Sequence, residues 1–213
     1  MSKLRILLLL ALVVGIAGYW GPWIAHRAVS LIIIGQDMGE FVKFLSEVRN
    51  NTMPMVRQLF YLPPFCSCLC LALLAANPRL SYPRLARAFL LAAILPISLA
   101  LLPPVVSMPV LQSSEFRLQA AGVICCWLLV PGWWLLRRIP AGINLAALSA
   151  LGLVASLLPL WQFLTILPAI QAIYKAPIYI GWGLVATTAG FLLFGLFSLL
   201  GLSNHLSQRL EAG

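Results

Sequence analysis

An all-α integral membrane protein with six transmembrane helices is the fold class this sequence predicts, and three observations carry it. Hydrophobic residues make up 62% of the chain and charged residues only 9%, against roughly 45–50% and about 25% in soluble domains. Mean hydropathy is +1.00. The apolar residues also fall into six runs of about 20, the length a helix needs to cross a hydrocarbon core of about 30 Å. A soluble globule, a disordered tail, a collagen-like fibre and a disulfide-stapled secreted module are all excluded by such a composition.

The runs are Ile6–Ala25, Leu59–Ala76, Ala88–Val106, Leu118–Leu136, Ile143–Phe163 and Ile178–Leu202, and none contains Asp, Glu, Lys, Arg or His. They are apolar all round, unlike the alternating strands of a membrane barrel. The first begins like a signal peptide, with Lys3 and Arg5 before Ile6 and with Gly15 and Ala17 suited to cleavage. Its apolar character continues through Ala25, so an uncleaved helix is expected. The whole chain, 1–213, reads as one transmembrane domain, with no residue-level repeat between its halves.

Six spans put both termini on one side. That side carries eight Lys and Arg against the single acid Glu211, and the other carries six against Asp37, Glu40, Glu47 and Glu115. The short turns NPRLSYPRLAR and RRIPAGIN hold most of the bias, which makes their side cytoplasmic by the positive-inside rule. Cations spread over two sides of a membrane also account for a pI near 9.9 without nucleic acid as a partner. Tyr19, Trp20, Trp23, Phe60, Tyr61, Trp161, Tyr174, Tyr179 and Trp182 fall at the expected outer interface, and Trp133, Trp134 and Tyr82 at the inner one, as aromatic belts do.

Between spans one and two, Met38, Phe41, Val42, Leu45 and Val48 recur at helical spacing, opposite Asp37, Glu40, Lys43 and Glu47. The pattern predicts an amphipathic interfacial helix over about 36–49, lying flat on the outer surface, with Lys43 and Glu47 as an i,i+4 pair. Met38, Phe41, Val42 and Leu45 are then the residues for interfacial docking. AVSLIIIG before it is too short to span. LTILPAIQAIYKAP, between spans five and six, is expected to form a second, weaker interfacial piece.

Inside the membrane, small residues predict close helix packing. Span five has Gly142, Ala146 and Ala150 at four-residue spacing, with Gly152 and Ser156 on another line, and span six has Gly183, Ala186, Thr187 and Gly190. These are expected to join spans five and six. Prolines such as Pro96, Pro131 and Pro159 interrupt the spans, each freeing a carbonyl that a neighbour must satisfy.

The candidate chemistry is sparse. Cys66, Cys68 and Cys70 lie in span two, and Cys125 with Cys126 in span four, at matching depths of about 10 Å. Touching spans would let Cys66, Cys70, Cys125 and Cys126 form a disulfide or a soft metal site, although no cation lies nearby to favour thiolates. His26, at the outer rim, is the one weak candidate for holding a cofactor, and no cofactor is expected. Nucleotide-binding, hydrolase and metalloprotease motifs do not occur. The leading expectation is a non-catalytic subunit or assembly factor of a membrane complex, with the bilayer and other integral membrane proteins as partners, in a bacterial cytoplasmic membrane. A small permease for a neutral or apolar solute or lipid is the alternative. A redox or metal protein using the intramembrane cysteines is the third reading.

Overall fold

The computed structural model describes residues 2–25, 32–50, 52–103, 107–174 and 178–210. Its helices are α1 (Ser2–Tyr19), α2 (Gly35–Phe41), α3 (Ser46–Arg49), α4 (Leu62–Ala76), α5 (Arg84–Ser98), α6 (Met108–Gln112), α7 (Arg117–Leu136), α8 (Ala141–Tyr174) and α9 (Trp182–Leu210). Short strands β1 (Pro22–Ala25), β2 (Ile33–Ile34) and β3 (Tyr179–Ile180) form one antiparallel sheet in the order β2-β1-β3. Five helical segments, Arg57–Ala76, Arg84–Leu101, Arg117–Leu136, Ala141–Tyr174 and Trp182–Gln208, are long and apolar enough to cross a membrane. The protein is therefore a helical one of membrane type.

Helix α4 is the hub, touching α1, α5, α7 and α8, while α9 lies between α1 and α8. Twelve of its fifteen residues are buried. Only Gln119, Val123 and Cys126 are buried in the twenty-residue α7, which leans on the bundle from one side. Pro63 and Pro64 open α4 in the first turn, where a missing N–H costs nothing. Its other end is tied to α8 by a pair of buried amides. Asn77 Nδ2 donates to Asn144 Oδ1 at 2.8 Å, and Asn144 Nδ2 donates to the Leu73 carbonyl at 3.1 Å.

Several expected boundaries move. The first span ends at Tyr19, not Ala25, because Pro22 cannot donate within a helix and steers Gly21 away from helical geometry; Pro22–Ala25 pair instead with Ile33–Ile34 and Tyr179–Ile180. The third begins at Arg84 and tightens into a 3₁₀ turn over Leu99–Leu101. Span five and the interfacial piece after it are one helix of 34 residues, about 51 Å long, with Pro159 and Pro168 inside it. Membrane helices tolerate such prolines because neighbouring groups and small local adjustments satisfy the carbonyls they free. Span six starts at Trp182, after β3, and runs to Leu210.

The largest departure is at 36–49. There is no single helix lying flat: α2 gives way to a 3₁₀ turn over Val42–Phe44, Leu45 is extended at φ −68° and ψ 128°, and α3 follows. Met38, Val42 and Leu45 are fully buried, in one cluster with Tyr19, Trp23, Phe60, Phe163, Ile166 and Ile170. The segment is a lid on the end of the bundle. Trp23 anchors it, with its ring edge-on to Tyr19, Phe60 and Phe163 at centroid distances of 6.1–6.2 Å. Gly35 is required at the closest approach, since a Cβ there would lie 2.6 Å from both Trp23 Nε1 and the Tyr19 carbonyl oxygen. Tyr19, Trp23 and Phe60 thus belong to the protein interior and not to a headgroup belt, whereas Trp161, Tyr179 and Trp182 are exposed.

Candidate functional site

Charge divides the molecule into two ends. At the lid end, Glu40, Lys43, Arg57 and Glu115 form one cluster. Lys43 Nζ bridges Glu40 and, at 2.7 Å, Glu115; Arg57 Nη1 meets Glu115 at 2.5 Å and Glu40 at 3.7 Å. Arg57 Nη2 also donates to the Glu115 carbonyl at 2.8 Å, and the Tyr61 hydroxyl donates to Glu40 at 3.1 Å. Both cations lie over the Phe116 ring, at 5.2 and 5.1 Å. Hydrogen bonds from Lys43 and Arg57 hold the Glu115 carboxyl below its ordinary pKa, against the opposing effect of partial burial. Burial works against the Lys43 ammonium, but its bonds to Glu115 and Glu40 outweigh it and raise the pKa. The expected Lys43–Glu47 pair is replaced by these contacts, because the break at Leu45 turns the two residues apart.

The opposite end is cationic. Arg5 Nη1 donates to the Ser81 carbonyl at 3.0 Å and its guanidinium lies 6.0 Å from the Tyr82 ring centre. Arg87 and Arg137 each lie 5.3 Å from the Trp133 ring centre, and Arg138 lies 5.2 Å from that of Trp134. Among the described residues no acid occurs at this end, and every described Asp or Glu belongs to the lid end.

The cysteine layer is real but rearranged. All five cysteines are free, four are buried, and Cys125 is exposed. The thiols that meet across α4 and α7 are Cys68 and Cys126, and Cys68 Sγ also donates to the Ile94 carbonyl at 3.6 Å. Among the described residues no three His, Cys, Asp or Glu side chains are grouped to hold a metal, so the set Cys66, Cys70, Cys125 and Cys126 is not assembled. Matching depth placed the clusters at one level, but helix rotation turns Cys125 outward. His26 lies outside the described residues.

The helix seams also differ from expectation. Helices α8 and α9 do pack together, through Gly152 against Gly195 and the Phe191 carbonyl. Gly183, Ala186 and Gly190 face α1 instead, where a Cβ on Gly190 would intrude on the Gly15 backbone. Ala146 and Ala150 face outward. Two stripes shared span five, and the one carrying Ser149, Gly152 and Ser156 is the buried one.

Two cavities complete the picture. A pocket of about 340 Å³ near the lid is lined by Gln58, Tyr61, Phe65, Gln119 and Cys125. A lateral groove of about 1130 Å³ separates α1 from α5, walled by Leu12, Val13 and Ile16 on one side and Phe89, Ala93 and Ile97 on the other, with Leu71 of α4 as its floor and Tyr82 at its end. Sequence reading missed both, since each is a gap between helices and not a motif. No protein-family model, curated protein or solved structure matches this chain.

Proposed function

We propose that the chain is a non-catalytic subunit or assembly factor of a membrane complex in a bacterial cytoplasmic membrane, with six spans and the cationic end cytoplasmic. The supporting observation is the outward face of α8. Ile143, Ala146, Ala150, Leu157, Trp161 and Leu164 are all exposed and recur at helical spacing over more than twenty residues. Small residues near the start of such a stripe let another helix backbone come close, the usual basis of association in lipid. Met38, Val42 and Leu45 of the lid segment are spent inside the protein, so the reading rests on α8.

The orientation rests on the short basic turns. Counting the 18-residue α1 as a span adds a sixth to the five segments long and apolar enough to cross a membrane. With α1 beside α9 and the Arg5–Ser81 contact joining its start to the turn before α5, both chain ends then fall on the cationic side.

The test is affinity purification from native membranes in mild detergent, followed by native mass spectrometry. The wild type is expected to bring down another integral membrane polypeptide in stoichiometric amount. Ala146→Trp with Ala150→Trp, at exposed positions, should lose that polypeptide while keeping the thermal stability of the isolated chain. Recovery of the wild type alone, or retention of the polypeptide by the double variant, would overturn the reading.

A further inference from the structure

The groove between α1 and α5 has a direction. Its α5 wall runs from Pro83 to Ile97, about 20 Å of helix, somewhat more than half of a hydrocarbon core of about 30 Å. It therefore spans about one leaflet, starting from the cationic end. Its walls are apolar side chains, and Leu85, Phe89 and Val13 along it are strongly exposed, so it opens sideways to the surroundings of the bundle.

Among the residues that line the groove, Tyr82 alone carries a polar side chain. Tyr82 is 6% exposed, lines the groove, and its hydroxyl has no hydrogen-bond partner. A buried hydroxyl without a partner is unfavourable, and an incoming acceptor relieves it. Burial pushes its pKa up to about 12, which keeps the proton available for donation. Arg5 lies over the same ring. Arg84, the first residue of α5, is exposed between Pro83 and Leu85, two residues of the groove wall. No side chain caps α5, leaving the N–H groups of its first turn free for an acceptor.

We propose that this groove binds one anionic phospholipid of the leaflet on the cationic side, an acyl chain lying between α1 and α5 and its phosphate meeting Arg5, Arg84, the Tyr82 hydroxyl and the first turn of α5. A zwitterionic lipid would fit the apolar walls equally well; the excess of cations selects a net negative headgroup. The site needs the bundle to sit in a bilayer but needs no partner polypeptide, so it stands independently of the subunit reading.

The full-length protein, purified in mild detergent and equilibrated with equal amounts of phosphatidylglycerol and phosphatidylcholine of distinguishable mass, tests this by native mass spectrometry. One retained phosphatidylglycerol per chain is expected, with its preference over phosphatidylcholine falling about fivefold for each of Arg5→Gln and Arg84→Gln. Ala93→Trp, which fills the groove, should abolish retention of both lipids. Glycerol phosphate in excess should not displace the lipid; displacement would mean that the headgroup alone is the ligand and would overturn the placement of the chain. Equal retention of the two lipids by the wild type, retention undisturbed by Ala93→Trp, or a protein dimer in place of bound lipid would each overturn the proposal. The two arginine variants leave the apolar walls intact, so the headgroup arm is decided even if Ala93→Trp folds poorly.

Discussion

The two ends of this bundle solve the same problem in opposite ways. At the lid end, acids and bases come from three separate stretches of chain and satisfy one another, with Glu115 shared between Lys43 and Arg57 and Glu40 between Lys43, Arg57 and Tyr61. At the other end the arginines rest on aromatic rings and backbone carbonyls, with no acid to meet among the described residues. The first arrangement closes on itself. The second leaves its positive charge without an acidic partner among the described residues. The lid end is closed by internal ion pairs and a fully buried tryptophan; the cationic end carries the positive charge that the proposed orientation would set against an anionic leaflet.

Removing the lid anchor should produce the largest effect. Trp23→Ala deletes a fully buried ring, and substitutions of this type cost about 3–5 kcal/mol. Hydrogen exchange is expected to rise sharply across residues 35–49 while the amides of α4 stay protected. Uniform loss of protection would mean that the lid and the bundle are one cooperative unit, and the contrast between the ends would lose its basis.

A smaller change is expected for Glu115→Gln, which leaves Lys43 and Arg57 with Glu40 alone. The Glu115 side chain is 46% exposed, so solvent screening limits the loss to about 1 kcal/mol. Exchange within α2 and α6 reports it, and no change at the Arg87–Trp133 contact should accompany it. The same cluster sets a pH window. Glu115 has a lowered folded pKa, so its contribution is complete above the ordinary value of 4.5 and is lost as pH falls through the folded value. Lys43 has a raised one, so its contribution is complete below 10.5 and is lost as pH rises through the folded value. The share of lid protection that these two groups supply, read as the difference between wild type and Glu115→Gln, should thus stay level between 4.5 and 10.5 and decline outside that range on both sides. A decline confined to one side would remove one of the two groups from the account.

The smallest effect belongs to the cationic end. Arg138→Ala removes a guanidinium stacked on the exposed Trp134, worth about 0.5–1 kcal/mol. Thermal stability in detergent should barely move, whereas a loss comparable to that of Trp23→Ala would show that this end is as tightly knit as the lid.

How far the sequence discloses these features depends on what kind of information each needs. Long apolar runs locate the helices well, because every residue in them reports the same environment; Leu118–Leu136 differs from α7 by one residue. The 36–49 pattern is more instructive. Met38, Val42 and Leu45 are the side chains that leave water, as their spacing implies, yet they enter protein and not headgroups. Periodicity shows which side chains seek an apolar medium, not whether lipid or a neighbouring ring supplies it. The small-residue stripes of span five share that ambiguity, since Ala146 with Ala150 and Gly152 with Ser156 are equally spaced and only the second pair is buried. Depth arithmetic brought the cysteines to one level, but the rotation that joins Cys68 to Cys126 is set by packing among α4, α5 and α7. The three-stranded sheet joins residues more than 140 positions apart, beyond the reach of any local pattern.

The proposal that the sealed lid end faces outward and the cationic end faces the cytoplasm is tested most directly by labelling single added cysteines with a membrane-impermeant maleimide in intact cells. Ser113→Cys, beside the ion cluster, is expected to react in intact cells, and Ser81→Cys, beside Arg5, only after permeabilisation, with the unmodified protein as the background control. Reaction of both positions from the same side would contradict the account, because the two ends would then not lie across a bilayer from each other.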